Sequence, residues 1–225
     1  MIHTGRYVEG CISLNSKRNP EATRHSILEA SFWEIFRNGF RSASLDSILA
    51  ETGVTKGALY HHFPSKAELG YAVVEEYIAG WISRECGALA DPSLDPIDTL
   101  MAIAQRKRAR LADKPELVGM GCPLNNLVQE MSPQDEGFRQ RLAQILEDWT
   151  LAITEALRRG QKHGQVRADI DADEAARFLV AASQGMAGIV KSQGRAEAMD
   201  PILGGLRIYL EGLRPASQPI SGDHE

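Results

Sequence analysis

Hydrophobic residues recur at helical spacing along most of the chain, and no stretch shows the strict alternation of a β-strand. The first periodic run extends from Pro20 to about Asn38, where Gly39 ends it, and its apolar positions are Ile27, Leu28, Phe32, Ile35 and Phe36. The longest run extends from about Asp135 to Lys162 and is amphipathic throughout. The pattern predicts an all-α protein of about nine helices.

Capping residues set the predicted limits of the other long helices. Ser65 and Glu68 form a capping box that opens a helix to about Cys86, and Asp95 with Pro96 opens one to about Ala112. A short helix follows from Leu124 to Met131. Asp171 opens a helix to about Gln193, whose predicted inward face is Phe178, Leu179, Ala182, Met186 and Ile189. The last helix is predicted from about Ala196 to Leu213.

The stretch from Ser44 to Phe63 is typical of two short helices joined by a tight turn. Ser44 is a suitable N-cap for the first helix, and Gly53 can end it in a left-handed conformation. Thr55 can cap the second helix, which Phe63 and the following proline close. This is the helix-turn-helix arrangement, whose second helix lies in the DNA major groove.

The residues of the second helix suit a nucleic-acid partner. Thr55 and the free amides behind it can bind a phosphate, and Lys56 can neutralise a phosphate or donate to guanine. Gly57 leaves room for close approach, while Tyr60 and His61 can donate to backbone or bases. We expect Leu59 and Phe63 to be core residues. His62 could either pack in the core or contact DNA, and we leave both possibilities open. The adjacent His61 and His62 diverge by about 100° on a helix, which disfavours a shared metal ion.

The wider segment resembles the N-terminal DNA-binding domain of the TetR family of transcriptional regulators, nearly position by position over residues 21–81. The matching residues include Thr23-Arg24, Gly39-Phe40, Ser44, Ile48-Leu49-Ala50, Gly53-Val54, Lys56 to Phe63, Ser65-Lys66 and Leu69. The resemblance implies that Ser44, Tyr60 and Lys66 hold DNA phosphates. It also implies a homodimer that binds a palindromic operator, most often as a repressor, and leaves it when a small-molecule inducer binds. The predicted domains are an arm (1–20), the DNA-binding domain (21–81, motif 44–63), a ligand-binding and dimerisation domain (82–214) and a disordered tail (215–225).

Composition agrees with an ordinary globular protein. The net charge is −5, but residues 1–66 hold eight Lys and Arg against six Asp and Glu, which gives +2 there and −7 for the remainder. The basic end is therefore the end that carries the helix-turn-helix, and Lys17 and Arg18 could form a basic arm towards DNA. No apolar run is long enough to span a membrane, no secretion signal is present, and the three cysteines are too widely spaced for a disulfide framework. We expect a cytoplasmic protein without a cofactor or a metal.

The last two helices are unusually rich in small residues, including Gly185, Gly188, Gly204, Gly205 and Gly212. Glycine costs about 1 kcal/mol inside a helix, so this many need a reason, such as close approach of another helix. The family resemblance implies a four-helix dimer interface here. Tight packing within one subunit is the alternative.

The segment Gly121-Cys122-Pro123-Leu124-Asn125-Asn126-Leu127 resembles a GCPLxNL segment found in a subset of TetR-type regulators. Cys122 lies where amide dipoles could lower a thiol pKa, so it is either a sensor of electrophiles or oxidants or a small buried hydrophobe. Further candidates for a ligand cavity are Asn125, Trp149, Trp81, Met101, Phe178 and Met186. Two other interpretations stay open: an enzyme with Cys122 as nucleophile and His163 as base, and a body that serves only for dimerisation.

Overall fold

The structure is a computed structural model that describes residues 19–216, and this part of the chain contains nine α-helices and no strand. The first three helices are α1 (Pro20–Asn38), α2 (Leu45–Thr52) and α3 (Lys56–His62). Helix α4 spans 66–86 as three continuous segments, Lys66–Ala72, Val73–Ile78 and Ala79–Cys86. The others are α5 (Pro96–Asp113), α6 (Pro123–Met131), α7 (Glu136–Lys162), α8 (Ala172–Gln193) and α9 (Asp200–Gly212). The all-α prediction is confirmed.

Local capping explains why the first helices begin and end where they do. The Ser44 hydroxyl accepts from the N–H of Ser47, and the Thr55 hydroxyl accepts from the N–H of Ala58. Gly53 adopts φ +63°, a left-handed conformation that favours glycine and turns the chain between α2 and α3. Buried apolar residues then hold α1, α2 and α3 together as a head, among them Ile27, Leu28, Ile48, Leu59 and Phe63. Neither α2 nor α3 would be stable without this packing, because each is only about two turns long.

Helix α4 connects the head to the rest of the protein, which is called the body below. Ser65 caps its start by accepting from the N–H of Glu68. The middle segment, Val73–Ile78, is a π-helix, which the sequence did not predict. Its side chains at Val73, Val74 and Ile78 are fully buried against both head and body. A π-segment packs one extra residue into a helical turn, so it rotates the helix face that follows.

The body is built on the long helix α7, which packs along α8 and against α4, α5 and α6. One apolar cluster runs from the head through α4 into this body without interruption. A second, smaller cluster lies beneath the short 3₁₀ turns Pro115–Met120 and Ala196–Met199, and includes Val118, Met186 and Met199. No helix in the described part of the chain is both long enough and apolar enough to cross a membrane.

Several details differ from the sequence predictions. The last helix begins at Asp200, because Ala196–Met199 forms a 3₁₀ turn, and a third such turn occupies Gly87–Ala90 in a predicted loop. Phe178 and Ile189 are exposed on α8, so their predicted inward orientation is wrong. Periodicity alone cannot distinguish a core-facing apolar residue from one on an uncovered face. The predicted arm with Lys17 and Arg18, and the tail beyond residue 216, lie outside the described residues.

Candidate DNA-binding surface and ligand cavity

Helix α3 presents one polar face to solvent and one apolar face to the core. Leu59 and Phe63 are buried, whereas the exposed residues are Thr55, Lys56, Gly57, Tyr60 and His61. No acidic residue lies in the first turn of α3. A Cβ placed on Gly57 would meet no atom within 4 Å, so the helix surface is open at that point. The geometry suits insertion into a groove lined with hydrogen-bond acceptors.

The two adjacent histidines occupy different environments. The His61 ring is exposed and meets the His62 ring edge-on at 5.5 Å, and His62 also lies 6.3 Å from the Phe63 ring. His62 is half-buried, so it lies at the margin of the exposed face. Among residues 19–216, no group of three or more potential metal-ligating side chains comes together.

Lys66 has partners that the sequence did not reveal. Its ammonium donates to the backbone carbonyls of Arg41 at 3.0 Å and Ala43 at 2.7 Å, and it lies 5.2 Å from the centre of the Phe40 ring. These carbonyls belong to the turn that leads into α2. Two of the three N–H donors of Lys66 therefore stabilise the head, and one is left for a phosphate. Ser44 lies at the same turn, and its N–H donates to the Glu34 carboxylate at 2.9 Å.

The head is fixed to the body by side chains from α4, α6 and α7. The Glu130 carboxylate accepts from the N–H groups of Phe40 and Arg41, each at 2.9 Å, although it is about 90 residues away in sequence. The Tyr71 hydroxyl donates to Asp135 at 2.8 Å. Hydrogen bonds from the N–H of Phe138 and from the Tyr71 hydroxyl hold the pKa of Asp135 below its usual range. Because Glu130 is on α6, the position of that short helix is coupled directly to the turn before α2.

A small cavity lies inside the body between α4, α5, α7, α8 and α9, with a volume of about 80 Å³. Four of the seven predicted ligand-pocket residues line it: Trp81, Cys122, Trp149 and Met186. Cys86, which the sequence analysis did not select, lines it as well. Burial raises the pKa of the Cys86 thiol to about 11, so this group stays protonated and a poor nucleophile at neutral pH.

The other three candidates do not reach this cavity. Asn125 donates to the carbonyl of Gln184 at 3.4 Å and lines a separate open groove between the end of α1 and α6. Met101 packs, half-buried, against the main apolar cluster. Phe178 is 51% exposed and packs against the Tyr209 ring at 4.4 Å. Helical spacing indicated that these side chains lie near the core. It could not show whether they face the inner cavity, another groove or solvent.

Cys122 is the N-cap residue of α6 and is 5% exposed. It borders the inner cavity and also the open grooves on either side of it. His163, the base required by the enzyme interpretation, lies at the C-terminal end of α7 and lines a different pocket, formed with the turn after α4. The structure therefore does not bring His163 to the Cys122 thiol.

The glycine-rich faces of α8 and α9 are uncovered in a single chain. A Cβ added to Gly185, Gly188, Gly204 or Gly205 would meet no atom within 4 Å. Two isoleucines close to these glycines in sequence are also exposed, Ile189 on α8 at 44% and Ile208 on α9 at 77%. These glycines are thus not used for packing within the subunit, which removes the basis of that alternative.

The fold and these surfaces define a two-part, all-helical protein with a helix-turn-helix head and a larger body that contains a cavity. Residues 27–73 match the family model described as bacterial regulatory proteins of the tetR family, and residues 96–204 match the tetracyclin repressor-like C-terminal domain. The chain belongs to the TetR family of DNA-binding transcriptional regulators, a family of regulators rather than enzymes.

Curated relatives and solved structures are similar over most of the chain. The transcriptional repressor DhaR of Mycobacterium sp. strain GP1 is 28% identical over 89% of this chain and 96% of its own length. The transcriptional regulator AcuR of Cereibacter sphaeroides is 31% identical over 68% of this chain and 70% of its own length. The crystal structure of a regulatory protein TetR from Rhodobacter sphaeroides superposes with a TM-score of 0.74 at 27% identity, covering 83% of this chain and 98% of that one.

Proposed function

We propose that the protein is a homodimeric repressor that binds a palindromic operator and is released from it by a small-molecule inducer. The observation that carries this proposal is the division of α3 into a buried apolar face and an exposed face of Thr55, Lys56, Gly57, Tyr60 and His61. Such a division is required of a helix that must pack on its own domain and also enter a major groove. The relative DhaR is named a transcriptional repressor, which supports repression rather than activation.

The uncovered faces of α8 and α9 support the dimer. Glycines there allow two helices to approach closely, and exposed Phe178, Ile189 and Ile208 supply apolar area for burial against a second copy. Two heads related by a two-fold axis would place their α3 helices about 34 Å apart, one turn of DNA. The operator would then consist of two inverted half-sites.

The proposed domains are a DNA-binding domain at 21–81 and a ligand-binding and dimerisation domain at 82–214. A boundary at residue 81 falls inside α4, which is continuous from 66 to 86. The two domains would therefore move as units joined by one helix rather than by a flexible linker. An inducer that repositions α4 or α6 would change the spacing of the two heads, and a coupling of about 1–3 kcal/mol would lower operator affinity roughly 5–150-fold.

The experiment is operator selection from a random DNA library, followed by binding measurements on variants of α3. Tyr60→Ala and Lys56→Ala should weaken binding to the selected operator while leaving the unfolding transition unchanged, because both side chains are exposed. Arg158→Ala, an exposed residue of the body, is the matched control. Selection that enriches no sequence, or α3 variants that bind as tightly as wild type, would refute the proposal.

The segment Gly121–Leu127 supports assignment to the subset of the family with a GCPLxNL segment, and it allows an electrophilic inducer that forms an adduct with Cys122. The position of Cys122 at the start of α6 favours a role as sensor. An adduct there would disturb α6, which also carries Glu130, the residue that binds the turn before α2. N-ethylmaleimide should add one more adduct to wild type than to Cys122→Ser, and it should release operator from wild type but not from Cys122→Ser. Release that is equal in both proteins would show that Cys122 is only a packing residue.

A further inference from the structure

A second groove lies on the outer side of the inner cavity, where α1 of the head meets α4 and α5 of the body, and its volume is about 270 Å³. Four basic residues line it: Arg84, Lys107, Arg110 and Lys114. No acidic residue is among its lining residues in the described chain, although the protein as a whole has a net charge of −5. The groove is therefore a local concentration of positive charge on an acidic protein.

Three of these cations lack an anionic partner. Arg110 pairs with Glu85, whereas Arg84, Lys107 and Lys114 form no salt bridge within residues 19–216. Lys114 follows α5 and Arg84 lies in the last turn of its helix, where a cation is also favoured by the helix dipole. Lys107 lies too far from the end of α5 for that explanation and is half-buried. Its ammonium is therefore free to pair with an anion supplied from outside the chain.

The remaining walls of the groove are aromatic and apolar. Trp33 and Phe36 come from α1, and Tyr77 and Trp81 come from α4. Trp81, Lys107 and Cys122 belong both to this groove and to the inner cavity, so the two spaces share a wall of three residues. The combined volume of the groove and the inner cavity lies at the lower end of the range of about 300–1,000 Å³ that is usual for small-molecule sites.

We propose that this groove binds an organic anion, a flat or apolar molecule with a carboxylate, sulfonate or phosphate group. Its anionic group pairs with Lys107 and Arg84, and its apolar part packs on Trp33 and Trp81. The part of a longer ligand that extends past Cys122 occupies the inner cavity. Binding there bridges α1 of the head and α5 of the body across α4. As a binding site the groove is independent of the proposed function, and as an inducer site it rests on that function.

The binding test uses two fluorescent probes that differ by one sulfonate group, the anionic 8-anilino-1-naphthalenesulfonate and the neutral N-phenyl-1-naphthylamine. The double variant Arg84→Gln/Lys107→Gln should bind the sulfonate roughly tenfold more weakly, since two charge pairs with the sulfonate are lost. It should bind the neutral probe as wild type does. The control is Arg158→Gln/Lys162→Gln, two exposed basic residues without ion pairs in the described chain that line neither this groove nor the inner cavity, and it should resemble wild type with both probes.

Equal loss of both probes in the groove variant, or no loss of either, would overturn the assignment of an anion site. The regulatory role is tested on the selected operator, which the sulfonate should release from wild type and not from Arg84→Gln/Lys107→Gln. A wild-type protein that binds no operator refutes the proposed function, while the probe titrations still decide the anion site. Operator that stays bound at saturating sulfonate overturns the inducer role.

Discussion

Single side chains in the head differ in whether they have partners within the chain, and the two lysines of the helix-turn-helix region illustrate the difference. Lys56 is exposed on α3 and forms no hydrogen bond through its side chain in the described chain. Lys66 donates to the carbonyls of Arg41 and Ala43 and closes the turn before α2. The same residue type, ten positions apart, is therefore expected to respond differently to replacement.

We predict that Lys66→Ala lowers the free energy of unfolding by about 1–2 kcal/mol, because two hydrogen bonds from a charged donor are lost at a half-buried turn. It should also weaken operator binding, since α2 and α3 depend on that turn. Lys56→Ala should leave unfolding unchanged but reduce the slope of log affinity against log salt by about 0.9 for each lost phosphate contact. Urea denaturation and salt titration of operator binding measure the two effects. If Lys66→Ala unfolds like wild type, the two carbonyl contacts do not stabilise the head.

Much of the head could be predicted from sequence because its determinants are local. The caps Ser44 and Thr55 and the turn glycine Gly53 lie next to the backbone groups that they satisfy. The contacts of Glu130 with Phe40 and Arg41 could not be predicted, because they join positions about 90 residues apart and leave no periodic trace. The place of Phe178 was missed for a related reason, since an apolar residue on an uncovered face has the same spacing as one in a core.

Among the helices, α4 determines how head and body are held relative to one another. Its first turns pack into the head–body junction at Gly70, where a Cβ would lie 2.4 Å from a ring carbon of Phe40 and 2.6 Å from a ring carbon of Phe138. The two rings meet edge-on at 4.6 Å, and Phe138 is fully buried. A glycine is therefore required here by packing rather than by backbone conformation. The π-segment that follows was not predicted, because its six residues are too few to reveal a change of period in the sequence pattern.

We predict that Gly70→Ala lowers the free energy of unfolding by at least about 1–3 kcal/mol, since the added methyl group forces two aromatic rings apart. Gly57→Ala on α3 is the matched comparison, because its Cβ would meet no atom. That change should raise stability by up to about 1 kcal/mol through helix propensity, and by less at a helix start. Its operator affinity should nevertheless fall, because the methyl group occupies space needed by DNA. Thermal denaturation and gel-shift titration of both variants measure these results, and a Gly70→Ala protein as stable as wild type would contradict the packing argument.

For the molecule as a whole, the proposed recognition of a palindromic operator requires two heads held at a fixed distance, and nothing within one chain provides that distance. The faces of α8 and α9 offer glycines with open space and Ile208 at 77% exposure. Exposed apolar area beside open glycines is expected at a surface that a second copy covers.

We predict that Ile208→Glu converts the dimer to a monomer, because burying two carboxylates in an apolar interface costs several kcal/mol. The control is Leu151→Glu on α7, which places the same charge on another apolar side chain that is 52% exposed. Sedimentation equilibrium should give a monomer for Ile208→Glu and a dimer for wild type and Leu151→Glu.

The helical content and the anion affinity of the groove between α1, α4 and α5 should be unchanged in the monomer, since that site lies within one chain. Operator affinity should fall by orders of magnitude, because a lone head contacts only one half-site. A monomeric Ile208→Glu protein that still bound the full operator with wild-type affinity would show that pairing of heads is not how this regulator reads DNA.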